Sequence, residues 1–149
     1  MPSNLYGPGD NYHPNYSHVI PGLIRRFHDA KVSGSREVKV WGSGVPLREF
    51  LYVEDLAEAC VFLLKTYDGS QFLNVGSGAE VTIKELARLI ADKVGYMGNI
   101  DYDPSKPDGT PRKVMDSGKI HALGWKAKMP LEQGLKFAYE NFLLNSKAK

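Results

Sequence analysis

Val38-Lys39-Val40-Trp41-Gly42-Ser43-Gly44, followed by Phe50-Leu51-Tyr52-Val53-Glu54-Asp55, is the stretch on which the fold turns. Val38 to Trp41 reads as a short strand ending in the Gly42-Ser43-Gly44 turn, and Phe50 to Val53 reads as another strand running into a helix opened by Asp55. Leu56, Ala59, Cys60, Leu63 and Leu64 then recur at helical spacing, which places Cys60 in the core. Asp68-Gly69 ends that helix before a further strand, Phe72 to Val75. Strand, turn, strand, helix and strand in one run predict a mixed α/β chain: a small sheet with several packed helices.

Downstream, Thr82-Ile83-Lys84-Glu85 is a capping box, in which the hydroxyl accepts an amide and the glutamate returns to the cap's own amide. It opens a helix with Ile83, Leu86, Ala87, Ile90, Ala91 and Val94 on one face, before a strand at Ile100 to Tyr102. Asp103 to Lys113 holds Pro104, Pro107 and Pro111, which remove amide donors, so this charged stretch reads as a loop. A short helix from Asp116, the Leu123-Gly124-Trp125 turn and a last helix begun at Pro130, with Leu131, Leu135, Ala138, Tyr139 and Phe142 inward, complete the chain. Upstream, Met1 to Pro14 is thick with Gly, Pro and Asn and reads as a loop. Ser17 is placed to cap a helix whose apolar positions Val19, Ile20, Leu23, Ile24 and Phe27 recur on one face, with Pro21 tolerated near its start.

The 149 residues are 42% hydrophobic and 24% charged, the balance of a globular domain, and no internal repeat is present. A net charge of +2, with lysines and arginines scattered, does not suggest a nucleic-acid partner. No apolar run reaches the ~18 residues of a membrane span, and no charged n-region opens the chain. With a single cysteine, Cys60, no internal disulfide forms, and the reading is cytoplasmic.

Two motifs mislead. Gly76-Ser77-Gly78 follows a strand as a dinucleotide fingerprint does, but Val81 stands in place of the third glycine. Tyr102 and Lys106 have the Tyr-x-x-x-Lys spacing, yet Pro104 between them denies a shared helical face. Neither a cysteine pair nor His-x-x-x-His points to a metal site.

Asn4-Leu5-Tyr6-Gly7-Pro8, Asp10-Asn11, Ser17-His18-Val19-Ile20-Pro21, Trp41-Gly42-Ser43-Gly44, Arg48-Glu49-Phe50, Asn74-Val75-Gly76 and Lys106-Pro107-Asp108-Gly109 occur in one order. Together they make almost the whole chain resemble the C-terminal substrate-binding half of the GDP-L-fucose synthase family, extended short-chain dehydrogenases that epimerise and reduce GDP-4-keto-6-deoxymannose with NADP. The first motif and Arg-x-Phe-x-x-Val-x-Asp are shared by many nucleotide-sugar enzymes. Ser-His-Val-Ile-Pro and Lys-Pro-Asp-Gly-Thr-Pro-Arg-Lys are narrower. The resemblance implies the C-terminal portion of an NAD(P)-binding Rossmann fold without its N-terminal Rossmann core. Residues 1–16 are then the edge of the cofactor domain and 17–149 the nucleotide-sugar domain. The glycine-rich loop, serine, cysteine and tyrosine-lysine pair of a complete synthase have no counterpart here, so the isolated chain is expected to be inactive.

The same resemblance makes His18 the acid of the epimerisation and a neighbour of the nicotinamide. An imidazole with an ordinary pKa of ~6.5 suits that work; outside the motif, a histidine at a helix start would merely hydrogen-bond. Pro2, Ser3, Asn4 and Leu5 match the cofactor segment, against the plainer reading of a Pro/Asn turn. Arg26, Trp41, Arg48, Asp108 and Lys113 match substrate positions: cations for the diphosphate, a ring for a stacking wall, a carboxylate for ribose or base donors. Each also has a plainer reading: a solvated helix arginine, a core tryptophan, a salt-bridged arginine after a turn, and a charged loop. His13, His28 and His121 carry no functional expectation. The implied partner is a GDP-sugar, and the parent family is homodimeric. Two alternatives stand: a non-catalytic GDP-sugar-binding module, or the same half of another nucleotide-sugar epimerase or dehydratase.

Overall fold

The computed structural model describes residues 1–146. The elements run β1 (Asn4–Tyr6), α1 (Val19–Ser33), β2 (Glu37–Trp41), β3 (Leu47–Tyr52), α2 (Val53–Thr66), β4 (Glu80–Thr82), α3 (Ile83–Val94), β5 (Asn99–Asp103), β6 (Arg112–Lys113), α4 (Gly118–Ala122) and α5 (Leu131–Ser146). The architecture is the mixed α/β one expected. β3 is the hub: β1 pairs with it in parallel with Asn4 opposite Phe50, β4 antiparallel with Arg48 opposite Val81, and β6 in parallel with Arg48 opposite Lys113. β2 and β5 form a separate parallel pair, with Trp41 opposite Asp103.

Burial follows the apolar spacing. α1, α3 and α5 pack Ile24, Phe27, Leu86, Ile90, Leu135 and Phe142 into one cluster against Val38, Val40 and Phe50. A smaller cluster of Leu51, Ala59, Val75, Ile120 and Trp125 lies under α2 and α4. Thr82 caps α3 as the sequence predicts, accepting from Glu85 N at 3.1 Å while Glu85 Oε2 accepts from Thr82 N at 2.9 Å.

Several expectations need correction. Residues 4–6 of the opening are a strand, because their amides and carbonyls find partners on β3 despite the flanking Gly and Pro. The cap of α1 is His18 in extended conformation rather than Ser17, and no side chain bonds the cap. α2 begins at Val53, before Asp55, whose buried carboxylate accepts from the amides of Lys128 and Met129 at 3.0–3.2 Å and staples the approach to α5. Cys60 is exposed, because the inward face of α2 is Leu56, Ala59, Phe62 and Leu63, and Cys60 turns outward with Val61 and Leu64. Phe72 to Val75 is not a strand: Val75 alone bridges to Pro2, and Phe72 is 77% exposed. The proline-rich loop ends in β6, since Arg112 and Lys113 find an open edge on β3. α4 starts at Gly118, after Ser117 rather than at Asp116.

Candidate active site

Two clefts open beside the start of α1. The first, of about 510 Å³, lies between residues 3–10, the first turn of α1 and β3. Its walls include Ser3, Asn4, Asp10, His18, Ile20 and Phe50. The second, of about 320 Å³, is lined by His18, Arg26, Trp41, Arg48 and Asp108. His18 and Arg48 line both.

The parallel pairing of β1 with β3 sets Asn4 at the floor of the first cleft, and its amide donates to Glu49 O at 2.7 Å. Ser3 N donates to Val75 O at 2.9 Å, while Ser3 Oγ is buried without a partner among the described residues. Leu5 lines the first cleft. Pro2 lines neither; its backbone bridges to Val75.

His18 stands at the N-terminus of α1, exposed, with its carbonyl accepting from Gly22 N at 2.9 Å and its ring not used as a cap. The first turn of α1 contains no acid, so the positive end of the helix dipole is not neutralised by its own side chains. Asp10 shares the first cleft with His18. Burial pushes the Asp10 carboxyl above the ordinary carboxylate range, opposed by the Asn11 amide and by the charge of His18.

Arg26 reaches back to Lys39 O at 2.7 Å and holds its guanidinium 5.5 Å from the centre of the Trp41 ring. Burial lowers its pKa, but an arginine stays charged under such a shift. Trp41 is 61% exposed, so it is a surface ring with a cation over it and not a core tryptophan. Arg48 donates to Leu47 O at 2.8 Å and, at 3.5 Å, to Asp108 O; among the described residues it has no carboxylate partner. Asp108 is occupied otherwise than expected: its oxygens accept from Ser43 N at 2.6 Å and Ser43 Oγ at 2.7 Å. Its carboxylate therefore clips the distant loop onto the Gly42-Ser43-Gly44 turn, where Gly42 has φ +83° and a Cβ would strike Asp108 Oδ1. Lys113 is exposed opposite Arg48 on β6 and lines neither cleft.

The structure thus gathers His18, Arg26, Trp41, Arg48 and Asp108 around one opening, with Ser3, Asn4 and Leu5 around its neighbour. Asp10 lines the first cleft, and buried Glu49 stands behind it with its carbonyl bonded to Asn4; neither was singled out as a site residue from sequence. Glu49 had a legible signal, a charge directly before the apolar run Phe50-Leu51-Tyr52-Val53. Gly76-Ser77-Gly78 is no dinucleotide loop, since Gly78 N donates to the buried Glu49 carboxylate at 2.7 Å. Among the described residues no group of three or more His, Cys, Asp or Glu is placed to hold a metal, and no helix is long and apolar enough to cross a membrane.

A parallel strand pair, two clefts meeting at a helix start and, among the described residues, no ion pair at Arg26 or Arg48 make up this region. The chain belongs to the NAD dependent epimerase/dehydratase family, whose model matches residues 1–76. Its curated relatives include GDP-L-fucose synthase 1 of Arabidopsis thaliana, 59% identical over 145 residues that cover 97% of this chain and 45% of that protein. The GDP-L-fucose synthase of Escherichia coli strain K12 is 49% identical, covering 97% and 48%. A solved GDP-L-fucose synthetase from Naegleria fowleri, bound to NADP, superposes with a TM-score of 0.91 at 33% identity, covering 98% of this chain and 46% of that one. The chain spans about half the length of the relatives it matches.

Proposed function

We propose that this chain is the substrate-binding half, with the nicotinamide-end edge, of an NADP-dependent epimerase-reductase that converts GDP-4-keto-6-deoxymannose to GDP-L-fucose. The observation that carries the reading is the sharing of His18 and Arg48 by both clefts, which puts a proton carrier and a diphosphate-binding cation at the junction of the two binding surfaces. Residues 1–16 then serve the cofactor and 17–149 the nucleotide-sugar. A cytoplasmic, homodimeric parent protein goes with this reading, on the family resemblance.

The residues of the first cleft fit the nicotinamide end of NADP. Ile20, Pro21 and Phe50 offer an apolar wall, and Ser3 Oγ is a buried polar atom without a partner among the described residues. NADPH, when bound, supplies the hydride that reduces the 4-keto carbon. This chain's own residues bind and move protons. Arg48 and Arg26 hold the diphosphate, helped by the open N-terminus of α1, while Trp41 offers its exposed face to an apolar or ring surface of the ligand. A base supplied by the rest of the protein takes the proton beside the 4-keto group and leaves an enolate, and proton return from the opposite face inverts that carbon. His18 is the acid that returns it, its ring facing the clefts rather than capping the helix. Asp108 supports the site by fixing the loop, and Lys113 stands back from it as an outlying charge.

Calorimetric titration of the chain with GDP, UDP and dTDP tests this. GDP is expected to bind, and more tightly than the other two. Equal affinity for all three would favour the same half of another nucleotide-sugar enzyme, a reading that the breadth of the matched family supports. No binding by any would remove the substrate site from this chain.

A further inference from the structure

Glu49 is fully buried on β3, between Arg48 and Phe50, which both face the clefts. Alternation along the strand sends Glu49 to the opposite side, with Leu51. There its two oxygens accept from different segments: Oε1 from Gly78 N at 2.7 Å and Oε2 from Met115 N at 2.9 Å. A Cβ on Gly76 would collide with the same carboxylate, so the glycine makes room for it. Glu49's own carbonyl accepts from the Asn4 amide at 2.7 Å. Among the described residues it has no cationic partner. A carboxylate buried among backbone amides alone is costly unless those amides are held in place, so the arrangement constrains all the segments that meet it. Those segments adjoin the site: Asn4 lines the first cleft, Arg48 is next along the strand, and β6 pairs beside Arg48 and leads to Met115.

We infer that Glu49 is a positioning residue for the anion-binding half of the site. Its carboxylate fixes β6 and the Lys106–Lys113 loop to β3, and through them the orientation of Arg48 toward the ligand. The inference rests on the GDP-sugar reading above for its ligand, but its structural part does not.

Glu49→Gln in the full 149-residue chain keeps the shape and places an amide nitrogen against a backbone N–H. Hydrogen exchange reads the fastening directly. The Leu47 amide, which donates to Pro111 O at 2.9 Å, reports whether β6 and its loop remain docked on β3. Its exchange is expected to quicken about tenfold, the scale of one lost charge-assisted bond, while the Ile90 and Val94 amides of α3 keep their protection. Unchanged protection at Leu47, or equal loss in α3, would overturn the inference whatever the ligand proves to be.

Titration reads the consequence. GDP affinity is expected to fall about tenfold in Glu49→Gln, with guanosine affinity held, and Glu49→Gln/Arg48→Ala is expected to bind GDP no more weakly than Arg48→Ala alone. Losses that multiply in the double variant would show that Glu49 does not act through Arg48. If wild type fails to distinguish GDP from guanosine, the diphosphate reading fails, and the exchange measurement still decides the fastening.

Discussion

His18 shows how little a residue type says and how much its setting adds. A histidine at a helix start ordinarily caps or hydrogen-bonds, but this one leaves the cap unbonded and borders both clefts. In a full-length protein joining this chain to the remaining part of a relative, His18→Gln is predicted to slow deuterium exchange into the sugar by ~10²–10⁴-fold, the usual range for a lost proton carrier. GDP affinity is expected to stay within about twofold, since Arg48 and Arg26 carry the contacts to the diphosphate in this reading. An unchanged exchange rate would take His18 out of the mechanism. Trp41 and Arg48 stand in quoted motifs, and with Arg26 they line one cleft. The bond between Asp108 and Ser43 was not legible, because the two lie 65 residues apart and sequence does not show such a pairing.

At the scale of elements, local chemistry was legible and edges were not. The Thr82 capping box, the apolar face of α3 and the β2–β5 segments appear where spacing puts them, because each is decided by neighbours in sequence. β1, β6 and the lost strand at Phe72 to Val75 were misread because short strands exist only where another edge is free to pair. Cys60 was misplaced because α2 carries apolar residues on two sides, and periodicity alone does not choose between them. Thr82→Ala is predicted to cost the chain about 1 kcal/mol, read as a lowered midpoint in urea. The bonds from Thr82 hold the Glu85 carboxyl below its ordinary range. A carboxyl lowered on folding stabilises above its unfolded pKa and loses that contribution as pH falls through the folded value. Glu85→Gln should therefore flatten the acid end of the stability curve while leaving its slope above pH ~6 unchanged. An acid limb identical to wild type would contradict this.

For the whole molecule, fold and family were legible from ordered motifs spread over nearly the full length, and the comparisons agree at 97% coverage. The meeting of the two clefts was not, since it depends on β3 serving as partner to three other strands. On the proposed function, a chain spanning about half the length of its relatives is predicted not to oxidise NADPH by itself in the presence of GDP-4-keto-6-deoxymannose. Turnover above a protein-free control that survives repurification would contradict that. In the proposed reading this chain alone builds a diphosphate site around Arg48. The most direct test of that reading is calorimetric titration of GDP and guanosine against wild type and Arg48→Ala. The account predicts that wild type prefers GDP and that Arg48→Ala loses roughly 1.5–3 kcal/mol of that preference, the worth of a charge-assisted contact. Equal affinity of wild type for GDP and guanosine, or GDP binding undiminished in Arg48→Ala, would contradict it.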